Sequence, residues 1–256
     1  MSDDILDLPP PPADVRLPYG SDPNQFGELR LPKAKGPYAV VVNLHGGFWR
    51  AKYDLAHAGH LCAALTARGF ATWNVEYRRV GNPGGGWPGT LEDIVSAYRF
   101  LPQIANDYHL DPSKMLVMGH SAGGQLALCM AAHEPTILRA IALAGVLDLE
   151  RAYELHLSMD AVVEFLGGTP KAIPEHYEDA DPMKLAIPKA LQVVLHGADD
   201  DVVPPDFSRR YAQEKRKRGE DVTLIEIAKA GHFDLIDPQS AGWTQVAEGV
   251  QRLLAS

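Results

Sequence analysis

From residue 38 onward, short apolar runs alternate with longer segments that read as helices. The run 39–44, Ala-Val-Val-Val-Asn-Leu, lacks polar alternation, as a strand buried on both faces requires. A helix over 54–68 ends at Gly69, and a strand follows over 71–77. The next helix, 90–108, opens with Thr90 as N-cap and with Glu92 and Asp93 in its first turn, where acids complement the macrodipole. Strands over 114–118, 140–143, 190–195 and 222–227 then alternate with helices over 122–133 and 205–218, and a helix over 239–254 closes the series. Parallel strands need a long crossover to return over the sheet. This pattern therefore specifies an α/β fold, a mostly parallel sheet with helices on both faces.

Two stretches depart from the pattern. The first 37 residues hold only the short segments 15–19 and 28–31, expected to add an edge hairpin, and the prolines Pro9 to Pro12. Between the strands at 140 and 190 lie roughly 45 residues, where a crossover needs about a dozen. A small helical, cap-like excursion over 145–189 is expected there, contributing to a substrate pocket.

Composition narrows the classes of function. Twenty-four Lys and Arg against 33 Asp and Glu leave a net charge of −9 over 256 residues. That diffuse negative field opposes nucleic acid and anionic membrane as partners. The one basic run, Lys215-Arg-Lys-Arg218, sits at a helix end before Gly219, where cations complement the dipole. No apolar run reaches the ~18 residues of a spanning helix, and the acidic start lacks the features of a secretory signal. A cytoplasmic location is expected. Cys62 and Cys129, both in Ala-rich apolar stretches, are too few for a disulfide framework or a four-thiolate zinc site. The expected partner is a small molecule, with no cofactor and no metal; homo-oligomerisation is left open.

Three motifs carry chemistry. Gly119-His120-Ser121-Ala122-Gly123 lies between a strand and a helix and fits the Gly-x-Ser-x-Gly turn that exposes a serine at such a corner. Side chains at 119 and 123 would collide with neighbours in so tight a turn, and the Ala122 N–H would face a developing oxyanion. His45-Gly46-Gly47-Phe48-Trp49 follows the strand 39–44, and its glycines let the backbone approach a substrate closely. The third is a pair: His196-Gly-Ala-Asp-Asp-Asp-Val-Val-Pro204 follows the strand 190–195, and Gly231-His232-Phe233-Asp234 follows 222–227. A serine hydroxyl becomes a good nucleophile only when an imidazole takes its proton, and the imidazole needs a carboxylate to orient it. Ser121, one of Asp199, Asp200 and Asp201, and His232 all leave C-terminal strand ends, where open sheets place ligands. The loop 81–89 lacks the Lys-Ser/Thr of a phosphate loop and reads as a tight connection. His57 and His60 stand three apart on a helix without a third ligand at a recognisable spacing, so a capping or exposed role is expected rather than a metal site.

These motifs resemble the α/β-hydrolase superfamily, and within it the carboxylesterase and kynurenine formamidase-like group. The chain order Ser, Asp, His is that of the superfamily. His-Gly-Gly-Phe-Trp is similar to the His-Gly-Gly-aromatic-Trp pattern of the formamidases, and Gly-His-Ser-Ala-Gly-Gly at 119–124 is shared with formamidases and hormone-sensitive-lipase-like esterases. The resemblance covers nearly all of residues 15–254. It implies a doubly wound, mostly parallel sheet of about eight strands, in a single domain over 1–256 with 1–37 as an N-terminal extension. It also implies Ser121, Asp200 and His232 as catalytic residues, the acid chosen by the register His-Gly-x-x-Asp-x-x-Val-Pro. Gly46, Gly47 and Ala122 would form the oxyanion hole, with Phe48, Trp49 and Trp87 beside the substrate. The expected activity is hydrolysis of small carboxylic esters through an acyl-enzyme. An aryl formamidase acting on N-formylkynurenine-type amides is the alternative, and a non-catalytic receptor or scaffold the third reading.

Overall fold

The computed structural model describes residues 3–255; Met1, Ser2 and Ser256, the outermost residues of the expected 1–256 unit, lie outside the described residues. The strands are β1 (Val15–Pro18), β2 (Phe26–Arg30), β3 (Tyr38–Leu44), β4 (Ala71–Val75), β5 (Leu110–His120), β6 (Arg139–Leu143), β7 (Leu191–Gly197) and β8 (Val222–Ile227). They form one sheet in the order β1-β2-β4-β3-β5-β6-β7-β8. The expected edge hairpin is β1 and β2, antiparallel to each other and, through β2, to β4; the other neighbours are parallel.

The helices are α1 (Gly59–Ala67), α2 (Gly89–Tyr108), α3 (Ala122–His133), α4 (Leu149–Glu154), α5 (Ala161–Leu166), α6 (Pro174–Ala180), α7 (Asp206–Lys217) and α8 (Trp243–Ala255). Alternation along β3 divides the core in two. Val40, Val42 and Leu44 pack on the side of α2, α3 and α7, whereas Val41 faces Leu61 and Leu65 of α1 and Val246 and Val250 of α8. Successive strand side chains point to opposite faces, so an uninterrupted apolar run is what a two-sided core demands.

Some helix starts differ from expectation. Asp54 caps a 3₁₀ turn, Leu55–Ala58, which precedes α1. Thr90 is not the N-cap of α2; its hydroxyl donates to Arg78 O at 2.6 Å and accepts from the Gly86 N–H at 3.2 Å. Asp93 falls beyond the first turn, whose one acid is Glu92, and pairs with the Arg78 guanidinium at 2.6 Å. The last helix starts at Trp243 rather than 239, since Asp237 accepts the Gln239 N–H at 2.8 Å and turns the chain there.

The excursion over 145–189 holds α4, α5 and α6. Arg50 grips it with a bidentate pair to Glu164 at 2.7 and 3.0 Å and a bond to Ser158 O at 2.9 Å. Trp49 stacks on Phe165 with ring centroids 4.7 Å apart. The excursion thus braces the loop after β3, next to the strand ends that carry the motifs.

Candidate active site

Ser121 stands between β5 and α3 with φ 57° and ψ −120°. An L-residue held in such a region costs about 1–3 kcal/mol, so the surroundings must hold it there. The Ser121 N–H donates to Leu143 O at 2.8 Å, and Ser121 O accepts from the Gly124 and Gln125 N–H groups at 2.9 and 3.2 Å. The elbow packs backbone against backbone. A Cβ on Gly119 would lie 2.0 Å from Gly123 O, and one on Gly123 would lie 2.1 Å from Leu44 O. Gly123→Ala is therefore expected to destabilise the fold by at least about 3 kcal/mol, read as a lowered urea midpoint.

His232 follows β8 at the head of a short 3₁₀ turn and is 3% exposed. Its Nδ1 lies 2.7 Å from Asp200 Oδ2. A carboxylate only accepts, so Nδ1 carries the proton and, in the neutral ring, Nε2 is left as a base. The other Asp200 oxygen accepts the N–H groups of Val202 and Val203 at 2.9 and 2.8 Å. His196, fully buried, donates its Nε2–H to Val203 O at 2.9 Å, with Asp200 Oδ2 3.1 Å from the same nitrogen, and accepts from Ser208 at Nδ1. Burial pushes Asp200 up, but the hydrogen bonds from His196 and His232 outweigh it and hold the carboxyl well below the usual range. Asp199 and Asp201, in contrast, are exposed. His120 fixes His232 from behind, its Nε2–H donating to His232 O at 2.9 Å.

The loop after β3 approaches from the other side. A Cβ on Gly46 would lie 3.1 Å from Ser121 Cβ. Gly47, Phe48 and Trp49 have φ of 112°, 49° and 58°, three successive left-handed residues that curl the loop around the serine. His45, fully buried beneath it, donates from Nδ1 to Gly46 O at 2.8 Å and stacks on Tyr77 at 4.4 Å. His45 Nε2 meets Glu76 Oε1 at 3.1 Å, and Arg79 holds the same oxygen at 2.9 Å. Ala122 heads α3, where backbone N–H groups have no acceptor within the helix.

Ser121, His120 and His232 open onto a cavity of about 160 Å³, bordered also by Gly47, Phe48, Tyr53, His57, Val202, Phe233 and Leu6. Of the expected substrate residues, Phe48 lines it. Trp49 and Trp87 do not. Trp49 is 1% exposed, with its indole N–H given to Gln125 at 2.9 Å; Trp87 packs edge-on against Phe165 of the excursion. Trp49 braces its own loop, Trp87 packs between the excursion and His133, and neither borders this cavity.

His57 and Tyr53 were not legible as site residues, since nothing in their spacing separates them from an ordinary helix start. His60 points away and bonds Leu8 O at 3.3 Å. Burial, aided by His45, pushes His57 from 6.5 down to about 4. The folded state thus prefers a neutral ring, and the unfolded chain binds more protons between those values. Stability is expected to fall by about 2–3 kcal/mol as pH drops from 6.5 to 4. Urea midpoints across that range should show a flatter slope in His57→Gln.

A family model described as BD-FAE matches residues 28–214. The chain belongs to the BD-FAE family. Relatives include the probable isoprenylcysteine alpha-carbonyl methylesterase ICME of Oryza sativa, 27% identical, with 91% of this chain aligned to 61% of that protein. Esterase LipQ of Mycobacterium tuberculosis is also 27% identical, over 90% of this chain and 62% of that one. This BD-FAE member spans about six tenths of the length of these curated relatives. Among solved structures, a truncated carbohydrate esterase from gut microbiota superposes with a TM-score of 0.83 at 19% identity, covering 97% of this chain and 100% of that one. Propionate-bound esterase 2 of Thermogutta terrifontis gives 0.76 at 23%, covering 95% and 94%. The fold is that of the α/β-hydrolases, shared with these esterase structures. No helix among the described residues is long and apolar enough to cross a membrane.

Proposed function

We propose that this protein is a serine hydrolase of small carboxylic esters. The observation that carries the reading is His232, its Nδ1 tied to the Asp200 carboxylate at 2.7 Å, opening onto the same small cavity as a conformationally strained Ser121. Ser121 Oγ attacks the acyl carbon as His232 Nε2 takes its proton. Asp200 holds the ring in the right tautomer and stabilises the imidazolium that forms. The N–H groups of Gly46, Gly47 and Ala122 receive the oxyanion of the tetrahedral intermediate. His232 then protonates the departing alcohol, and a water, activated by the same imidazole, releases the acid from the acyl-enzyme. Oxyanion loop, serine, acid and base leave strands spread from β3 to β8, so these residues act as one catalytic domain.

Drug-sized ligands occupy pockets of about 300–1,000 Å³, so a cavity of about 160 Å³ favours a short acyl or alkoxy group. The propionate and butyrate held by esterase 2 of Thermogutta terrifontis are of that size. The His-Gly-Gly-Phe-Trp loop keeps an aryl formamidase as the second reading, separated by comparing kcat/KM on N-formylkynurenine with that on p-nitrophenyl acetate.

The deciding test is covalent. A fluorophosphonate probe is expected to label the native protein at Ser121 and to leave Ser121→Ala unlabelled, while native protein hydrolyses p-nitrophenyl acetate. Absence of both labelling and turnover would favour a non-catalytic scaffold instead.

A further inference from the structure

The cavity beside Ser121 is closed partly by residues outside the catalytic loops: Tyr53 and His57, before and on the 3₁₀ turn ahead of α1, and Leu6. Gly47 and Phe48 come from the oxyanion loop, Val202 from the acid loop and Phe233 from the base loop. Leu6 comes from the start of the chain, on a 3₁₀ turn over Asp3–Leu6.

That turn is fastened to the body at several points. Ile5 is 5% exposed and packs in the core shared by Leu61 and Ile236, with Leu6 against its edge. Behind it, the His60 Nε2–H donates to Leu8 O at 3.3 Å. Pro10 lies so close over α1 that a Cβ on Gly59 would fall 2.5 Å from Pro10 Cβ. The buried Arg30 donates from Nη2 to Pro11 O at 2.9 Å. The proline stretch is thus a strap along α1 and β2, and it delivers a leucine to the mouth of the serine.

Resting on the esterase reading of Ser121 and His232, we propose that Leu6 sets the size of the substrate group seated in this cavity. An engineered cavity of about 150 Å³ binds benzene, so about 160 Å³ sets an upper bound of roughly six carbons on that group. Phe48, Val202 and Phe233 are chained to backbone that positions the oxyanion donors, Asp200 or His232, and Tyr53 packs so close on Gly47 that a Cβ there would lie 2.5 Å from Tyr53 Cβ; none of them can change shape without moving that backbone. Leu6 can. Its side chain ends against the cavity while Ile5, one residue earlier, carries the anchoring.

The test is a ratio, which an unfolded fraction does not alter. p-Nitrophenyl esters from acetate to octanoate vary the acyl group, and alkyl acetates from methyl to octyl vary the alcohol. One extra methylene that finds room in an apolar pocket is worth about tenfold or more in kcat/KM. Leu6→Ala is expected to raise the long-to-short ratio at least about tenfold in one series, and Leu6→Trp to lower it in the same series. The series that responds identifies the group the cavity holds. Unchanged ratios for both variants in both series, with native turnover intact, would overturn the role of Leu6 alone. No turnover of any ester by native protein would overturn the esterase reading and this proposal with it.

Discussion

Ser121→Ala is expected to lower kcat/KM for p-nitrophenyl acetate by about 10⁴- to 10⁶-fold, to the level left by binding and the oxyanion donors. The size of the loss follows from what remains. Without Oγ no acyl-enzyme forms, so His232 can only activate water against an ester that is not covalently held. The substitution should at the same time relieve little strain, because the φ of 57° at residue 121 is imposed by the packing of Gly119, Gly123 and Leu44 rather than by the hydroxyl. A loss of less than about tenfold, measured with the variant's folding checked by thermal melting, would show that another group carries the nucleophilic step.

Asp200→Asn is the second large effect, with an expected fall of about 10⁴-fold in kcat. Three N–H groups donate to this carboxylate, from Val202, Val203 and His232 Nδ1, and the His196 ring stands 3.1 Å from it. An amide has one accepting oxygen and an NH₂ that must face a donor. The relief open to the chain is for His232 to move its proton to Nε2, which removes the base. The carboxyl also sits well below its usual pKa range because hydrogen bonds from the two imidazoles outweigh its burial, so it is ionised at neutral pH. Replacing the exposed Asp199 or Asp201 with alanine is expected to change kcat by no more than about twofold, as for surface positions generally. The three variants, assayed side by side, separate the aspartates that the residue pattern alone left equivalent.

The strand-by-strand order of the core was readable because burial on both faces leaves an unmistakable mark. Val40, Val41 and Val42 can be consecutive and apolar only where alternate residues meet two different helical layers. The Gly119–Gly123 turn was readable for a related reason. Its glycines are demanded by contacts between backbones within a few residues and with the neighbouring strand. The direction of the Trp49 and Trp87 rings was not legible, since a tryptophan in a glycine-rich loop carries no sign of which way its ring points. Trp49 turns inward because Gln125 accepts its N–H and Phe165 offers a face to stack on, and both partners lie far along the chain.

What the residues themselves carried was therefore the alternation and the elbow. Local sterics and short-range hydrogen bonding dictate those features, and they leave a pattern of fixed spacing. What surrounds the serine came only with folding. Leu6, Tyr53, His57 and Phe233 meet at one cavity from segments separated by as much as most of the chain. Each contact there depends on the sheet bringing strand ends together and on a proline strap crossing α1. No interval between residues records such a meeting, because packing fixes distances in space that spacing along the chain does not constrain.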